Sequence, residues 1–331
     1  MSSRSALLLV ANWDSDVGYA WWLMESFWTV LAERYSSSCR VLLAYPIIST
    51  LPQAIRKAPL EAVEQDFSGT GPIQVLKQCR FLKGNKVKAL YFSDRPTWHW
   101  RYLFYRLCGV RAIVVHDHTP GVRTPATGIK GWAKRFVHRL PLLSVDGAIG
   151  ATEFVRNRLI RVNGMPPDHC FAAPNGLPDW NSPVMAANLH KLLGIPSARK
   201  ILVMASRANR YKGVDFALKT LSRLLELGRR DVQFLFIGDG PDLGHFKEFA
   251  QRLGIENHCT FTGKRSDVTS LLAGADIAFH PSKGEVGYSL TILEYMRAGL
   301  PVVVPDNPSV SEATIHGRNG MIYPQENVQM A

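Results

Sequence analysis

Cysteine is scarce and unpatterned in this sequence: Cys39, Cys79, Cys108, Cys170 and Cys259 are the only five in 331 residues, and no two form a C-x-x-C pair. That spacing excludes a disulfide framework and the common zinc motifs, and it predicts a reducing compartment. Long apolar runs are also missing. The first, residues 6–11, is shorter than a signal-peptide core and far below the roughly 20 residues of a membrane span. Composition excludes collagen, coiled-coil and low-complexity readings. With no zinc-finger spacing, aromatic RNP signature or dense Lys/Arg arm, no nucleic-acid partner is expected. These absences predict a soluble cytoplasmic protein, or one peripheral on the inner face of a membrane.

What is present is a chain 46% hydrophobic and 20% charged, long enough for two domains at about 150 residues each. The formal charge is +12, and it is uneven: 22 Lys and Arg stand against 12 Asp and Glu up to Asn175, and 17 against 15 beyond it. Such asymmetry suits an anionic partner for the first half, either acidic lipid headgroups or a phosphorylated acceptor. An ordinary basic surface is the alternative.

Short apolar runs alternate with helical patterns along the whole chain. In the first half the runs are 7–11, 41–45, 89–92, 112–115 and 148–150, with a helix expected over 19–35. The second half repeats this with strands over 201–205, 233–237, 260–262, 277–280 and 302–304, and helices over 214–227, 244–253, 268–273 and 290–298. This alternation predicts α/β folding with two parallel, doubly wound sheets. A turn cluster at 173–179 and a stretch without strand pattern place a hinge near 177–198. Ligands of open α/β sheets sit at the carboxyl ends of strands, so an interdomain cleft lined by strand-end loops is expected. The last strand pattern, 321–324, is followed by only seven residues, so carboxyl-terminal closing helices are expected to be missing.

The block from Phe279 to Gly320 carries the most chemistry. A strand ends near His280, and a loop with Gly284 and Gly287 leads into a helix opening at Ser289-Leu290. Backbone N–H groups of Gly287, Tyr288, Ser289 and Leu290, together with the helix dipole, would suit a diphosphate. Glu285 before the helix and Glu294 within it could accept hydrogen bonds from a sugar and from a ribose diol, although either alone reads more readily as a solvated surface residue. The second block, Arg207-Ala-Asn-Arg210-Tyr-Lys212-Gly213, follows a strand and precedes a helix. Preorganised cations there would stabilise a departing phosphate, or the block is simply a basic loop. Gly238-Asp-Gly240 reads mainly as a tight strand-to-helix turn.

In the first half, His116-Asp117-His118-Thr119-Pro120 follows a strand. The two histidines could position a substrate, serve a turn, or ligate a metal with Asp117. Asp14-Ser-Asp16 has the spacing of a metal-holding pair, but it lies immediately after the first strand and before Gly18, a context that argues against a metal role. The aromatic segments 19–28 and 98–106 read as core helices, or as membrane-interface or sugar-stacking surfaces.

Pro281-Ser282, Glu285, Gly287-Tyr288-Ser289-Leu290, Glu294 and Arg297-Ala298-Gly299-Leu300-Pro301-Val302-Val303 together resemble family 4 of the nucleotide-sugar glycosyltransferases. The resemblance covers most of the chain and is dense over 199–324. It implies the GT-B fold, with residues 1–177 as an acceptor-side Rossmann-like domain and 178–331 as the nucleotide-sugar domain. It further implies retaining transfer of a sugar from a nucleoside diphosphate to an acceptor hydroxyl, in glycan, polysaccharide or glycolipid synthesis. No metal and no cofactor are expected, the nucleotide sugar being the donor substrate, and the acceptor would be a glycan or a lipid-linked molecule.

By the same resemblance Arg207 and Lys212 hold the diphosphate, Glu294 the ribose, and Glu285 and His118 the donor sugar. Gly18, His116 and Glu312 are secondary candidates. One departure stands out: the family's two glutamates have seven intervening residues, whereas Glu285 and Glu294 have eight, so Val286 falls at the first glutamate's place when aligned back from Glu294. Two other readings fit the architecture, a nucleotide-sugar 2-epimerase and a non-catalytic nucleotide-sugar-binding protein.

Overall fold

The computed structural model describes residues 4–16, 22–178 and 184–331. Gly18 and the aromatic pair Tyr19 and Trp21 therefore lie outside the described residues. The chain divides into two units, one of residues 1–119 with 123–173, the other of 120–122 with 174–331.

The first unit is built on a parallel sheet of β1 (Ala6–Val10), β2 (Arg40–Tyr45), β3 (Glu61–Glu64), β4 (Val87–Ser93), β5 (Ala112–Asp117), β6 (Gly147–Gly150) and β7 (Cys170–Ala172), in the order β3-β2-β1-β4-β5-β6-β7. Crossover helices include α1 (Trp22–Tyr35), α2 (Gln53–Lys57), α3 (Pro72–Gly84), α4 (Arg101–Leu107), α5 (Gly128–Val137) and α6 (Glu153–Arg158). Alternate side chains of a strand face opposite sides. Thus Leu8 and Val10 of β1 pack with Leu42, Leu90 and Phe92 in one cluster, while Leu9 packs with Leu43, Trp28 and Tyr91 in another. Both faces are covered, as parallel sheets require. The two strands without a clear sequence signal are the outermost ones: β3 reads Glu-Ala-Val-Glu, and β7 has three residues.

The second unit repeats the plan. Its strands are β8 (Lys200–Ala205), β9 (Val232–Ile237), β10 (Cys259–Phe261), β11 (Ile277–Phe279), β12 (Val302–Pro305) and β13 (Gly320–Tyr323), ordered β10-β9-β8-β11-β12-β13. Ile201, Val203, Leu235 and Ile237 serve one core cluster, Met204, Phe234 and Phe236 the other. The helices are α7 (Leu189–Leu193), α8 (Val214–Glu226), α9 (Leu243–Arg252), α10 (Val268–Ala273), α11 (Leu290–Arg297) and α12 (Pro308–Ser311). The stretch read as a hinge contains α7, whose Asn188 side chain accepts from the Lys191 amide. Among the described residues no helix is long and apolar enough to cross a membrane.

Candidate functional site

In the second unit, β8 and β11 are neighbours, so the loops leaving their carboxyl ends are brought together. After β8 the chain passes Arg207 and makes a short turn over Arg210–Lys212. Asn209 caps that turn by accepting the Lys212 amide, and α8 then begins. Gly213 joins turn to helix at φ +81°, where a Cβ would lie 2.0 Å from the Pro281 carbonyl oxygen. Only glycine permits both that backbone and that approach, and this close approach sets the two loops against one another. The Lys283 amide adds a hydrogen bond of 3.0 Å to the Tyr211 carbonyl.

At the centre is an ion cluster. Lys212 Nζ lies 2.5 Å from Glu285 Oε1, and His280 Nε2 lies 3.0 Å from the same oxygen. His280 is 1% exposed and Glu285 8%. Burial pushes the Glu285 carboxyl upward, but the hydrogen bond from His280 and the charge of Lys212 outweigh it and hold the group at about 2. The Glu285 amide donates to Ser309 Oγ, which in turn donates to Asn307 Oδ1. Glu285 is thus a charged side chain fixed by three elements. Its carboxylate meets Lys212 directly, even though one residue more than the family spacing separates it from Glu294.

The following helix, α11, opens at Ser289 with no side-chain cap, and the first N–H groups of a helix have no acceptor within it. The Gly287 amide, expected to face a diphosphate, instead donates to the Ser309 carbonyl at 2.6 Å. Of the four amides expected to face an anion, that of Gly287 is therefore already engaged within the fold. The Tyr288 carbonyl accepts from Asn175 Nδ2 at 3.1 Å. Glu294, one turn into α11, is half-buried, and burial raises its carboxyl while Arg297 opposes the rise. The next residue, Tyr295, fixes the helix to the end of β8: its hydroxyl accepts from the Ala205 amide at 2.7 Å and donates to the Ala205 carbonyl at 3.2 Å. Arg207 is exposed, and Glu312 ends α12 half-buried.

In the first unit, β5 ends in His116 and Asp117, with His118 just beyond. His116 Nδ1 meets the Tyr91 hydroxyl at 2.5 Å, and the His116 and His118 imidazoles lie 4.1 Å apart between centroids, tilted 44° to one another. Phe27 of α1 lies against both rings. Burial depresses both histidines, His116 far below its usual range and His118 to about 4. Among the described residues neither ring nitrogen of His118 has a hydrogen-bond partner. Its backbone is fixed by Asp94, whose Oδ1 accepts the His118 amide at 2.6 Å and whose own φ is +50°. Burial pushes Asp94 up to about 6, against the opposing effect of that amide. Asp117 gives one oxygen to Thr119 and the other to Arg158, so its carboxylate is already engaged within the fold.

Reasoning from the sequence did not single out His280, Asp94, Arg158, Asn307 or Ser309. His280 carried a usable signal, since it ends a strand five residues before Glu285. Asp94 and Arg158 carried none, because their partners lie 24 and 41 positions away.

Residues 186–331 match the family model of glycosyl transferases group 1. N-acetyl-alpha-D-glucosaminyl L-malate synthase of Bacillus anthracis is 29% identical over 134 residues, 40% of this chain and 34% of that protein. D-inositol 3-phosphate glycosyltransferase of Corynebacterium diphtheriae is 25% identical over 287 residues, 82% and 65% of the two. The chain thus spans from about a third to about two thirds of these relatives. Among solved structures, Anabaena Alr3699/HepE in complex with UDP superposes with a TM-score of 0.72 at 19% identity, covering 98% of this chain and 87% of that one. At that identity the likeness is one of fold, the GT-B fold of two Rossmann-like units.

Proposed function

We propose, from the premise that residues 186–331 form a glycosyl transferases group 1 domain, that the chain transfers a sugar from a nucleoside diphosphate to an acceptor hydroxyl with retention of anomeric configuration. The observation that carries this reading is the buried Lys212–Glu285–His280 cluster at the carboxyl ends of adjacent strands. When the bond from the anomeric carbon to the diphosphate breaks, negative charge grows on the departing oxygen. Lys212, Arg207 and the N–H groups opening α11 are the donors that would meet that charge, and a fixed donor in such a site contributes about 3 kcal/mol.

Glu285, held as a carboxylate, fixes Lys212 in place, so the cation is positioned before the donor arrives. Glu294 accepts from the ribose hydroxyls, its partial burial strengthening that bond. His118, neutral at physiological pH and with no hydrogen-bond partner for either ring nitrogen among the described residues, supplies a hydrogen bond to a donor-sugar hydroxyl. The chemistry needs no metal or cofactor. UDP-sugars are the first donors to try, since Alr3699/HepE was solved with UDP and with UDP-glucose. The acceptor is a glycan or lipid-linked hydroxyl, reached by a protein working on an anionic membrane surface inside the cell.

The test is product analysis with labelled nucleotide sugars and a panel of lipid and glycan acceptors. The expected product is a glycoside of unchanged anomeric configuration, with turnover lost in Lys212→Ala and Glu294→Ala. An epimerised nucleotide sugar without glycoside, or turnover untouched by both substitutions, would overturn the reading.

A further inference from the structure

Helix α5 is built with its large apolar residues on the wrong side for a core helix. At roughly 100° per residue, Gly131 and His138 fall on one side, and Ile129, Trp132, Ala133 and Phe136 on the other. The first side faces the protein. Gly131 is buried so tightly that a Cβ there would sit 2.3 Å from the Ala126 carbonyl oxygen. His138 is buried with Nε2 at 2.8 Å from Thr97 Oγ1 and Nδ1 at 2.8 Å from the Lys134 carbonyl. The opposite side faces outward: Ile129 is 86% exposed, Trp132 63% and Phe136 49%. Trp132 and Phe136 stack on each other at 5.4 Å and 10°, so the exposed aromatics form one flat apolar surface.

The segment of chain that carries this surface is one-sided in charge. From Arg95 to Val145 the only acidic residue is Asp117, and it is buried against Arg158 at 3.1 Å. Over the same stretch Arg123, Lys130, Arg135 and Arg139 are exposed. Lys130 and Arg135 lie on the two flanks of the apolar side, both exposed, the Arg135 stem resting against Gly164. An apolar strip of stacked aromatics bordered by cations is the pattern of a helix lying in the plane of a lipid interface.

We infer that α5 docks this protein on an anionic bilayer, with Ile129, Trp132 and Phe136 entering the headgroup boundary and Lys130, Arg135 and Arg139 pairing with lipid phosphates. Charge complementarity decides the occupant. A second copy would bring the same cations against themselves, whereas an anionic lipid surface neutralises them. This deepens the membrane element of the proposed function, but its test needs neither donor nor turnover and so stands apart from the transfer reading.

The experiment is sedimentation of the full chain with vesicles of phosphatidylcholine alone and of phosphatidylcholine with phosphatidylglycerol, in low and high salt. Binding to the anionic vesicles is expected to be at least about tenfold tighter and to weaken with salt. Trp132→Ser with Phe136→Ser should abolish it, and Lys130→Glu with Arg135→Glu should remove the preference for anionic lipid. Unchanged thermal melts and unchanged nucleotide binding in both variants would exclude misfolding as the cause. Equal binding to both vesicle types, absence of binding, or binding indifferent to both variants would overturn the inference. So would self-association that the serine variant removes while lipid binding stays nil.

Discussion

The two units each place histidine and carboxylate groups at the carboxyl end of a parallel strand, and they settle the cost of burial in opposite ways. In the second unit the carboxylate stays charged: Glu285 is held at about 2 because His280 and Lys212 both bind one of its oxygens. In the first unit the groups are driven neutral: His118 falls to about 4 and Asp94 rises to about 6. A cluster whose charges are matched is suited to presenting a fixed field to an anion. A buried neutral imidazole without a hydrogen-bond partner among the described residues is suited to a neutral hydroxyl. The same topology thus yields one electrostatic site and one hydrogen-bonding site.

The comparison is broken most severely at Lys212. Lys212→Ala leaves a buried carboxylate with half its support and should cost about 3–5 kcal/mol of stability by chemical denaturation. Lys212→Met combined with Glu285→Leu should recover most of that loss while turnover stays absent. If the double variant is as unstable as the single, the carboxylate is not what Lys212 compensates.

The complementary break in the first unit has the opposite signature. His118→Asn should lower transfer about 100-fold, equivalent to about 2.7 kcal/mol in the barrier, with little change in the denaturation midpoint, because neither ring nitrogen has a hydrogen-bond partner among the described residues. Smaller again is Tyr295→Phe, which strips the Ala205 amide and carbonyl of a shared partner. A loss of about 1–2 kcal/mol is expected, with donor KM rising as α11 loosens from β8.

The finest test is pH. His118 is depressed from 6.5 to about 4, so the unfolded chain takes up its proton first, and this contribution to stability is lost as pH falls between those values. Asp94 is raised from 3.8 to about 6, so its contribution runs the other way and is lost as pH rises over that range. The two partly cancel, and Asp94→Asn should steepen the loss of stability on acidification below pH 6.5. Glu285 stabilises the second unit above its ordinary carboxylate range, an effect that disappears only as pH falls through about 2. Melts at half-unit pH intervals would read all three.

Much of this was legible in the sequence, unevenly and for physical reasons. The inner strands and α8 to α11 announced themselves because fully buried parallel strands read as continuous apolar runs, and Val268–Ala273 carries its boundaries openly. The outermost strands did not, since Glu61–Glu64 is solvated on its flanks and Cys170–Ala172 is too short for a pattern. Lys212, Glu285 and Glu294 stood out by residue type and spacing. The spending of the Gly287 amide on Ser309 could not be read, because that hydrogen bond depends on how two distant loops close. Asp94 was hidden likewise: nothing local announces an aspartate at positive φ capping a histidine amide on the neighbouring strand.

The central claim is that the Lys212 cluster and the start of α11 form the seat of a nucleoside diphosphate, and calorimetric titration of the full chain with UDP, GDP and ADP tests it most directly. Micromolar binding of one of them, unchanged by removing magnesium, abolished by Lys212→Ala and Glu294→Ala and unaffected by His118→Asn, is the predicted result. Binding of none, or binding indifferent to Lys212 and Glu294, would contradict it.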